Sequence, residues 1–361
     1  MIKRIGILTG GGDAPGLNAV IRAVVLTAHL EFDCEVTGIR NGFDGLLQPD
    51  GLLPLSTTVV DEILPKGGTI LGAANRGNPF DRLVVRNGKQ VREDVSGAVV
   101  DRIKQLALDA LIVVGGDGTL GIARDLFRMG VSVIGVPKTI DNDVGGTEAS
   151  FGFDTALNVA VEAIDRLHTT AESHQRVMVL EVMGRDAGFI ALHSGLAGGV
   201  DVILIPELPF SHQMIAQKIT ARHQAGQPDS LVVVSEGAKP QGGRQVFSRA
   251  AEDLKLARLG GVSYDVAAQL EDSCQVETRT IVLGHIQRGG TPTAFDRWLA
   301  TRYGAAAVRL AAASGFGRMV AYQAGAIVDL SFEDALQHPK RVALDGDAMK
   351  TARGLGISFG D

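Results

Sequence analysis

Two cysteines in 361 residues, Cys34 and Cys274, are too few for a disulfide framework and lack the spacing of a cysteine-based zinc site. No window approaches the ~18 apolar residues of a membrane span. The opening Met1-Ile2-Lys3-Arg4 leads into Ile5-Gly6-Ile7-Leu8-Thr9, a run too short for the apolar region of a secretory leader. There is no block of like charge, no low-complexity tract and no fixed-period repeat. Lys plus Arg number 35 and Asp plus Glu 41, for a net charge of −6, so the basic footprint of a nucleic-acid binder is missing. No G-x-x-x-x-G-K-[ST] occurs, and no G-x-G-x-x-G follows the first apolar run, which disfavours ordinary dinucleotide-dependent dehydrogenases. These absences point to a soluble, cytoplasmic protein with neither membrane nor nucleic acid as partner. They do not exclude an anionic small ligand, because a site can be locally basic on an acidic protein.

Glycine is abundant: 46 residues, about 13% against a usual ~7%. The glycines cluster where short apolar runs end. Such runs read as strands at Arg4–Leu8, Ala110–Val114, Ser132–Val136, Arg176–Val182, Asp201–Ile205, Leu231–Ser235, Thr280–Leu283 and Met319–Tyr322. Helical patterns lie between them, at Leu17–Leu30, Leu120–Met129, Thr155–Ala171, Met214–His223 and Asp296–Ala313. This alternation predicts an α/β fold of two Rossmann-like lobes with mostly parallel sheets. The turn pairs Asn41-Gly42 and Asn87-Gly88 predict hairpins within Asn41–Pro54 and Arg82–Val95. Ligands of such folds bind beyond the carboxyl ends of the strands. The loops at 10–16, 115–119, 137–146, 183–188, 236–244 and 284–292 are therefore expected to share a cleft.

Three of these loops carry a phosphoryl-transfer signature. Gly10-Gly11-Gly12-Asp13-Ala14-Pro15-Gly16 and Gly115-Gly116-Asp117-Gly118-Thr119 join strand to helix, where small residues let backbone N–H groups approach an anion. Thr119 is read as a helix cap and a donor to phosphate, and Asp117 as a holder of Mg²⁺. Two such loops suggest a polyphosphate with its metal. Pro137-Lys138-Thr139-Ile140-Asp141-Asn142-Asp143 follows the next strand, with Pro137 expected to end it. Asp141 is placed to accept a proton from an attacking hydroxyl, and Asp143 to help hold the metal or orient the loop.

The second half supplies cations at strand ends: His174-Gln175-Arg176, Met183-Gly184-Arg185, Arg279, and His285-Ile286-Gln287-Arg288-Gly289-Gly290. Arginine suits phosphate through forked, charge-assisted bonds. Glu236 suits a sugar hydroxyl. The residues alone thus describe a Mg²⁺-dependent phosphoryl transferase acting on a phosphorylated hydroxyl compound.

In this order, Leu8-Thr9 with the first glycine loop, Gly115-Gly116-Asp117-Gly118, Pro137 to Asp143, Glu181-Val182-Met183-Gly184-Arg185, and Gly284 to Gly290 resemble the 6-phosphofructokinase family over essentially the whole chain. The resemblance implies a phosphofructokinase-type fold. It implies phosphorylation of the 1-hydroxyl of fructose 6-phosphate, with Asp141 as base and Thr139 and Arg185 near the transferring phosphoryl group. The donor would contact Gly11, Gly12, Gly116, Asp117, Gly118, Thr119 and Lys138, with Mg²⁺ on Asp117. The sugar phosphate would contact Thr139, Asp141, Asp143, Met183, Gly184, Arg185, Glu236, His285 and Arg288. Arg176 and Arg279 match arginines that the family lends across a subunit interface, which implies a homodimer or homotetramer. Residues 1–145 are expected to form the donor lobe and 146–300 the sugar-phosphate lobe, with the helices at about 300–361 as candidates to return to the first.

ATP users resemble this chain at Gly118, whereas pyrophosphate users resemble it at Lys138 but carry a second aspartate in place of Gly118. ATP is therefore the expected donor, with pyrophosphate or ADP as alternatives. A kinase of the NAD or lipid type and a non-catalytic nucleotide-sensing subunit are remoter readings. His168 and Gln227-Pro228-Asp229-Ser230 stand where short bacterial members carry effector-binding cations, and only Asp201 matches that site. Little response to phosphoenolpyruvate or ADP is expected there.

Overall fold

The structure, a computed structural model, describes residues 2–74, 77–86, 89–249 and 258–361. The chain forms two compact units, Met1–Thr155 with Arg288–Lys340, and Ala156–Gln287 with Arg341–Asp361.

In the first unit, β1 (Arg4–Thr9), α1 (Leu17–Phe32), β2 (Glu35–Ile39) and β3 (Leu52–Leu55) are followed by β4 (Arg82–Arg86) and β5 (Lys89–Glu93). Then come α2 (Ser96–Gln105), β6 (Ala110–Gly115), α3 (Asp117–Arg128), β7 (Val133–Thr139) and β8 (Phe151–Gly152). Helix α4 (Phe153–His174) carries the chain into the second unit: β9 (Val177–Val182), α5 (Phe189–Gly198), β10 (Val202–Leu204), α6 (His212–Gln224), β11 (Ser230–Ser235), β12 (Phe247–Arg249), β13 (Arg258–Leu259), α7 (Val262–Cys274) and β14 (Thr278–Val282). The return supplies α8 (Ala294–Ala312), β15 (Arg318–Gln323), β16 (Ala326–Ser331) and α9 (Phe332–Leu336) to the first unit, and α10 (Asp347–Gly354) ends the chain in the second.

The first sheet has the order β16-β15-β7-β6-β1-β2-β3, with β8 on β7. Its centre is parallel, and β16 and β3 are antiparallel edges. Every residue of β6 is buried, as a strand covered on both faces requires. One face packs the apolar sides of α1 and α8, with Leu17, Ile21, Leu299 and Tyr303 in its core. The other packs α2, α3 and α9 through Val99, Leu120, Leu126 and Phe332. The second sheet, β10-β11-β9-β14, is wholly parallel.

Several expectations shift. The crossing lies at Thr155 rather than 145, and the return begins at Arg288 rather than 300. Residues 341–361 group with the second unit, because Ser358 donates to Asp201 O and accepts from Ile203 N, and Phe359 is buried there. This covers the edge of β10, which would otherwise expose unpaired backbone groups. Pro137 does not end its strand: β7 runs on to Thr139, because β8 pairs with Lys138 and Thr139. The hairpin at 82–93 is formed, although its turn at Asn87-Gly88 lies outside the described residues. Asn41-Gly42 is not a two-residue turn. Both residues are left-handed, and a 3-10 helix, Gly42–Leu47, intervenes before β3 pairs with β2.

Candidate active site

In the first unit, the two glycine loops leave the carboxyl ends of the adjacent strands β1 and β6. Their glycines are a packing requirement. A Cβ at Gly10 would lie 2.5 Å from Thr119 Cγ2, and one at Gly115 would lie 2.4 Å from Thr119 Cβ. Thr119 is thus the buried wedge between the loops, and not the helix cap that the sequence suggested. Helix α3 already begins at Asp117, and its N-cap is Gly116. Asp117 and Gly118 therefore occupy the first turn, where free N–H groups and the helix dipole favour anions. A Cβ at Gly118 would meet nothing within 4 Å.

Lys138 is 3% exposed and donates from Nζ to the carbonyl of Gly12. Arg288 NH1 donates to the carbonyl of Asp13 at 3.1 Å, and a Cβ at Gly12 would lie 2.7 Å from that nitrogen. The two cations therefore hold the first glycine loop from its carbonyl side. Arg288, expected on the sugar phosphate, sits in the first unit against the first glycine loop. Burial, and then the charge of Arg288, lower the Lys138 ammonium to about 8, and Asp141, Asp13 and Asp143 oppose that shift.

Asp141 is 4% exposed, and its backbone N–H donates to Thr139 Oγ1 at 3.0 Å. Between the two aspartates, Asn142 adopts φ 54°, a left-handed conformation that asparagine tolerates better than most side chains. Its side chain is also bonded on both sides. Asn142 Oδ1 accepts from Ser150 N at 3.1 Å, and Asn142 Nδ2 donates to Glu148 O at 3.4 Å. Asp117, Gly118 and Asp143 line one cavity of about 210 Å³, together with Arg124, Leu336 and His338. Among the described residues no three His, Cys, Asp or Glu side chains group as a metal cage. That donor set fits Mg²⁺, which is usually held by one or two carboxylates with phosphate oxygens and water.

In the second unit, Met183, Gly184 and Arg185 follow β9. Gly184 has φ 147° and Arg185 φ 52°. The strained Arg185 is held on both sides. Its N–H donates to Glu236 Oε1 at 3.3 Å, and its carbonyl lies 1.6 Å from where a Cβ on Gly237 would stand. Glu236, expected on a sugar hydroxyl, thus also carries the arginine loop. Met183 is buried, and its N–H donates to Gln287 Oε1 at 2.8 Å. His285 is exposed in the short helix Gly284–Arg288. Arg176 Nε donates to Glu277 Oε2 at 2.7 Å, and Arg279 NH2 donates to Glu277 Oε1. At the expected effector position Asp201 is paired with Arg222 at 2.8 Å, and His168 Nε2 bonds Gly198 O at 2.6 Å.

Gln287 and Asn142 were not given roles from the sequence. Both lie inside the motifs, but their contacts are made by side chains that return to the backbone. Gln287 is fully buried and also donates to Ala156 O at 3.3 Å, so it ties the Met183 loop to α4.

The family model described as phosphofructokinase matches residues 4–311. An ATP-dependent 6-phosphofructokinase of Chloroflexus aurantiacus is 52% identical over 359 residues, 99% of this chain and 98% of that protein. A pyrophosphate–fructose 6-phosphate 1-phosphotransferase of Streptomyces coelicolor is 49% identical over 341 residues, 94% of this chain and 96% of that one. Among solved structures, the phosphofructokinase of Pichia pastoris in its T-state superposes with a TM-score of 0.79 at 30% identity, covering 100% of this chain and 37% of that one.

Proposed function

The chain belongs to the phosphofructokinase family, and on that premise we propose that it phosphorylates the 1-hydroxyl of fructose 6-phosphate with ATP, yielding fructose 1,6-bisphosphate and ADP, a step of glycolysis. The observation that carries the choice of donor is the open space at Gly118 in the first turn of α3. An aspartate there would fill that space and add negative charge where the α-phosphate of a nucleotide is expected.

Asp141 takes the proton as the sugar oxygen attacks the γ-phosphorus and the bond to the β-phosphate oxygen breaks. Lys138 sets a cation beside the donor loop, and Thr139, besides fixing Asp141, offers its hydroxyl to the transferring group. The α3 N-terminus, with Gly116, Asp117 and Gly118, and the Gly11-Gly12 loop hold the polyphosphate. Mg²⁺ would be held by Asp117, with Asp143 lining the same cavity, and would supply charge neutralisation on the phosphates. In the second unit Arg185 stabilises charge on the transferring group, and Met183, Gly184, Glu236 and His285 bind the sugar. Arg288 binds the sugar phosphate and also braces the glycine loop through Asp13 O. Arg176 and Arg279 grip the 6-phosphate of a neighbouring subunit, so the working form is a homodimer or homotetramer. No helix among the described residues is long and apolar enough to cross a membrane, and the glycolytic step proposed for the chain belongs to the cytoplasm.

Pyrophosphate as donor is the second reading, favoured by Lys138. An aldolase-coupled assay with fructose 6-phosphate and Mg²⁺, comparing ATP, ADP and pyrophosphate, decides between them. Turnover with ATP alone is expected, and turnover with pyrophosphate alone would reverse the argument from Gly118.

A further inference from the structure

The loop that carries Asp141 and Asp143 is not held by its own neighbours alone. The segment after α9, residues 337–340, lies directly against it, beyond the stretch matched by the family model. Lys340 N–H donates to Asp143 O at 2.8 Å. Its ammonium donates to Thr147 O at 3.1 Å and to Glu148 O at 2.8 Å. The contact is close along its length. A Cβ at Gly145 would lie 2.5 Å from Ala335 O and 2.6 Å from His338 O, so only glycine admits the strap.

We propose that Lys340 is a positioning residue for phosphoryl transfer, its backbone and ammonium bracketing residues 143–148 and thereby setting where Asp141 and Asp143 stand. Three features support this. First, the ammonium binds two successive carbonyls in the loop. Second, one of them, Glu148 O, also accepts from Asn142, the left-handed residue between the two aspartates. The strap therefore acts on the same carbonyl that fixes the turn. Third, the cavity containing Asp117 and Asp143 has Leu336, His338 and Pro339 in its wall, so a shift of the strap moves one side of the donor cavity relative to the other. The charge is kept although burial lowers its proton affinity, with Asp143 and Glu148 facing it and opposing that effect. A hydrocarbon side chain would fill the space without binding the carbonyls, so charge and hydrogen bonding are the discriminating properties.

This inference rests on the kinase reading. The test uses the full chain in three forms: wild type, Lys340→Arg and Lys340→Met. A loop displaced by a fraction of an ångström costs rate more than affinity, so kcat with ATP should fall about tenfold to a hundredfold in Lys340→Met. KM for fructose 6-phosphate should change by less than about threefold. Lys340→Arg, which keeps the donor and the charge, should recover most of kcat. Amide exchange across 143–148, read without turnover, should quicken in Lys340→Met and not in Lys340→Arg. Lys340→Leu replaces the methionine variant if the latter does not fold. Wild-type kcat together with wild-type exchange in Lys340→Met overturns the proposal, as does equal loss in the arginine variant. A wild-type protein inactive with every donor would overturn the kinase reading instead, while unchanged exchange would still overturn the latch.

Discussion

Arg176 and Glu277 form a charge-assisted hydrogen bond of 2.7 Å on the second unit, and Arg279 takes the other oxygen of the same carboxylate. The two arginines expected to serve a neighbouring subunit are thus parked on one glutamate, whose carboxyl they hold below its usual range. Both pairs are partly exposed, and solvent screening leaves ion pairs of that kind weak. A phosphate dianion can therefore take the arginines at small cost.

Glu277→Gln removes that competitor. Its melting temperature should match wild type, and KM for fructose 6-phosphate should fall by up to about fivefold, the scale of a weak exposed ion pair. Steady-state kinetics beside thermal denaturation check this. A raised KM would mean that Glu277 orients the arginines for the phosphate rather than withholding them.

Gly118→Asp separates donor choice from folding. The position is open and lies in the first helical turn, where an acidic side chain interacts favourably with the helix dipole. Stability should be unchanged or slightly raised, while kcat/KM for ATP falls at least tenfold. Unchanged ATP kinetics would remove the steric and electrostatic argument for the nucleotide.

Lys138 should leave its mark on the alkaline side of the pH profile. Its ammonium titrates at about 8 in the free protein, so kcat/KM, which reports the free enzyme, should fall above that pH. A bound anionic donor strengthens the proton's hold, so kcat should persist to higher pH. Lys138→Arg should move the limb upward. Because burial also brings Lys340 to about 8, a limb that moves only in Lys340→Arg would assign it there.

Asp296 should link folding stability to pH. Its Oδ2 accepts from Thr155 N at 2.8 Å and Thr155 Oγ1 at 2.5 Å, and burial lifts the carboxyl to about 6. The folded state then holds more protons than the unfolded chain between about pH 4 and 6. The stabilisation by this group is complete below its unfolded value and lost as pH rises through about 6. Relative to Asp296→Asn, wild type should gain on the order of 2–3 kcal/mol as pH is lowered from 7 to about 4 and below, with about half of that gain present at pH 5. Denaturant titrations at several pH values measure it, and a pH-independent difference would contradict the buried charge.

The alternation of strands and helices, the two glycine loops and the aspartate loop were legible because each is local. A strand end and the helix after it are neighbours in sequence, so spacing alone reports their junction. Local reading failed where a distant partner decided the matter. Pro137 stays in its strand because β8 pairs beyond it, and Thr119 is a wedge because Gly10 and Gly115 close on it.

What the sequence by itself determined is the chemistry available: the family, the glycine loops, the candidate base and the glycine at 118. Only the tertiary structure decided what holds that chemistry in place. Gln287 reaches Met183 across 104 residues, and Lys340 reaches Glu148 across 192. The physical reason is that these contacts join side chains to backbone carbonyls and amides. Any residue type offers those groups, so no motif marks them, and only the path of the folded chain brings them within bonding distance.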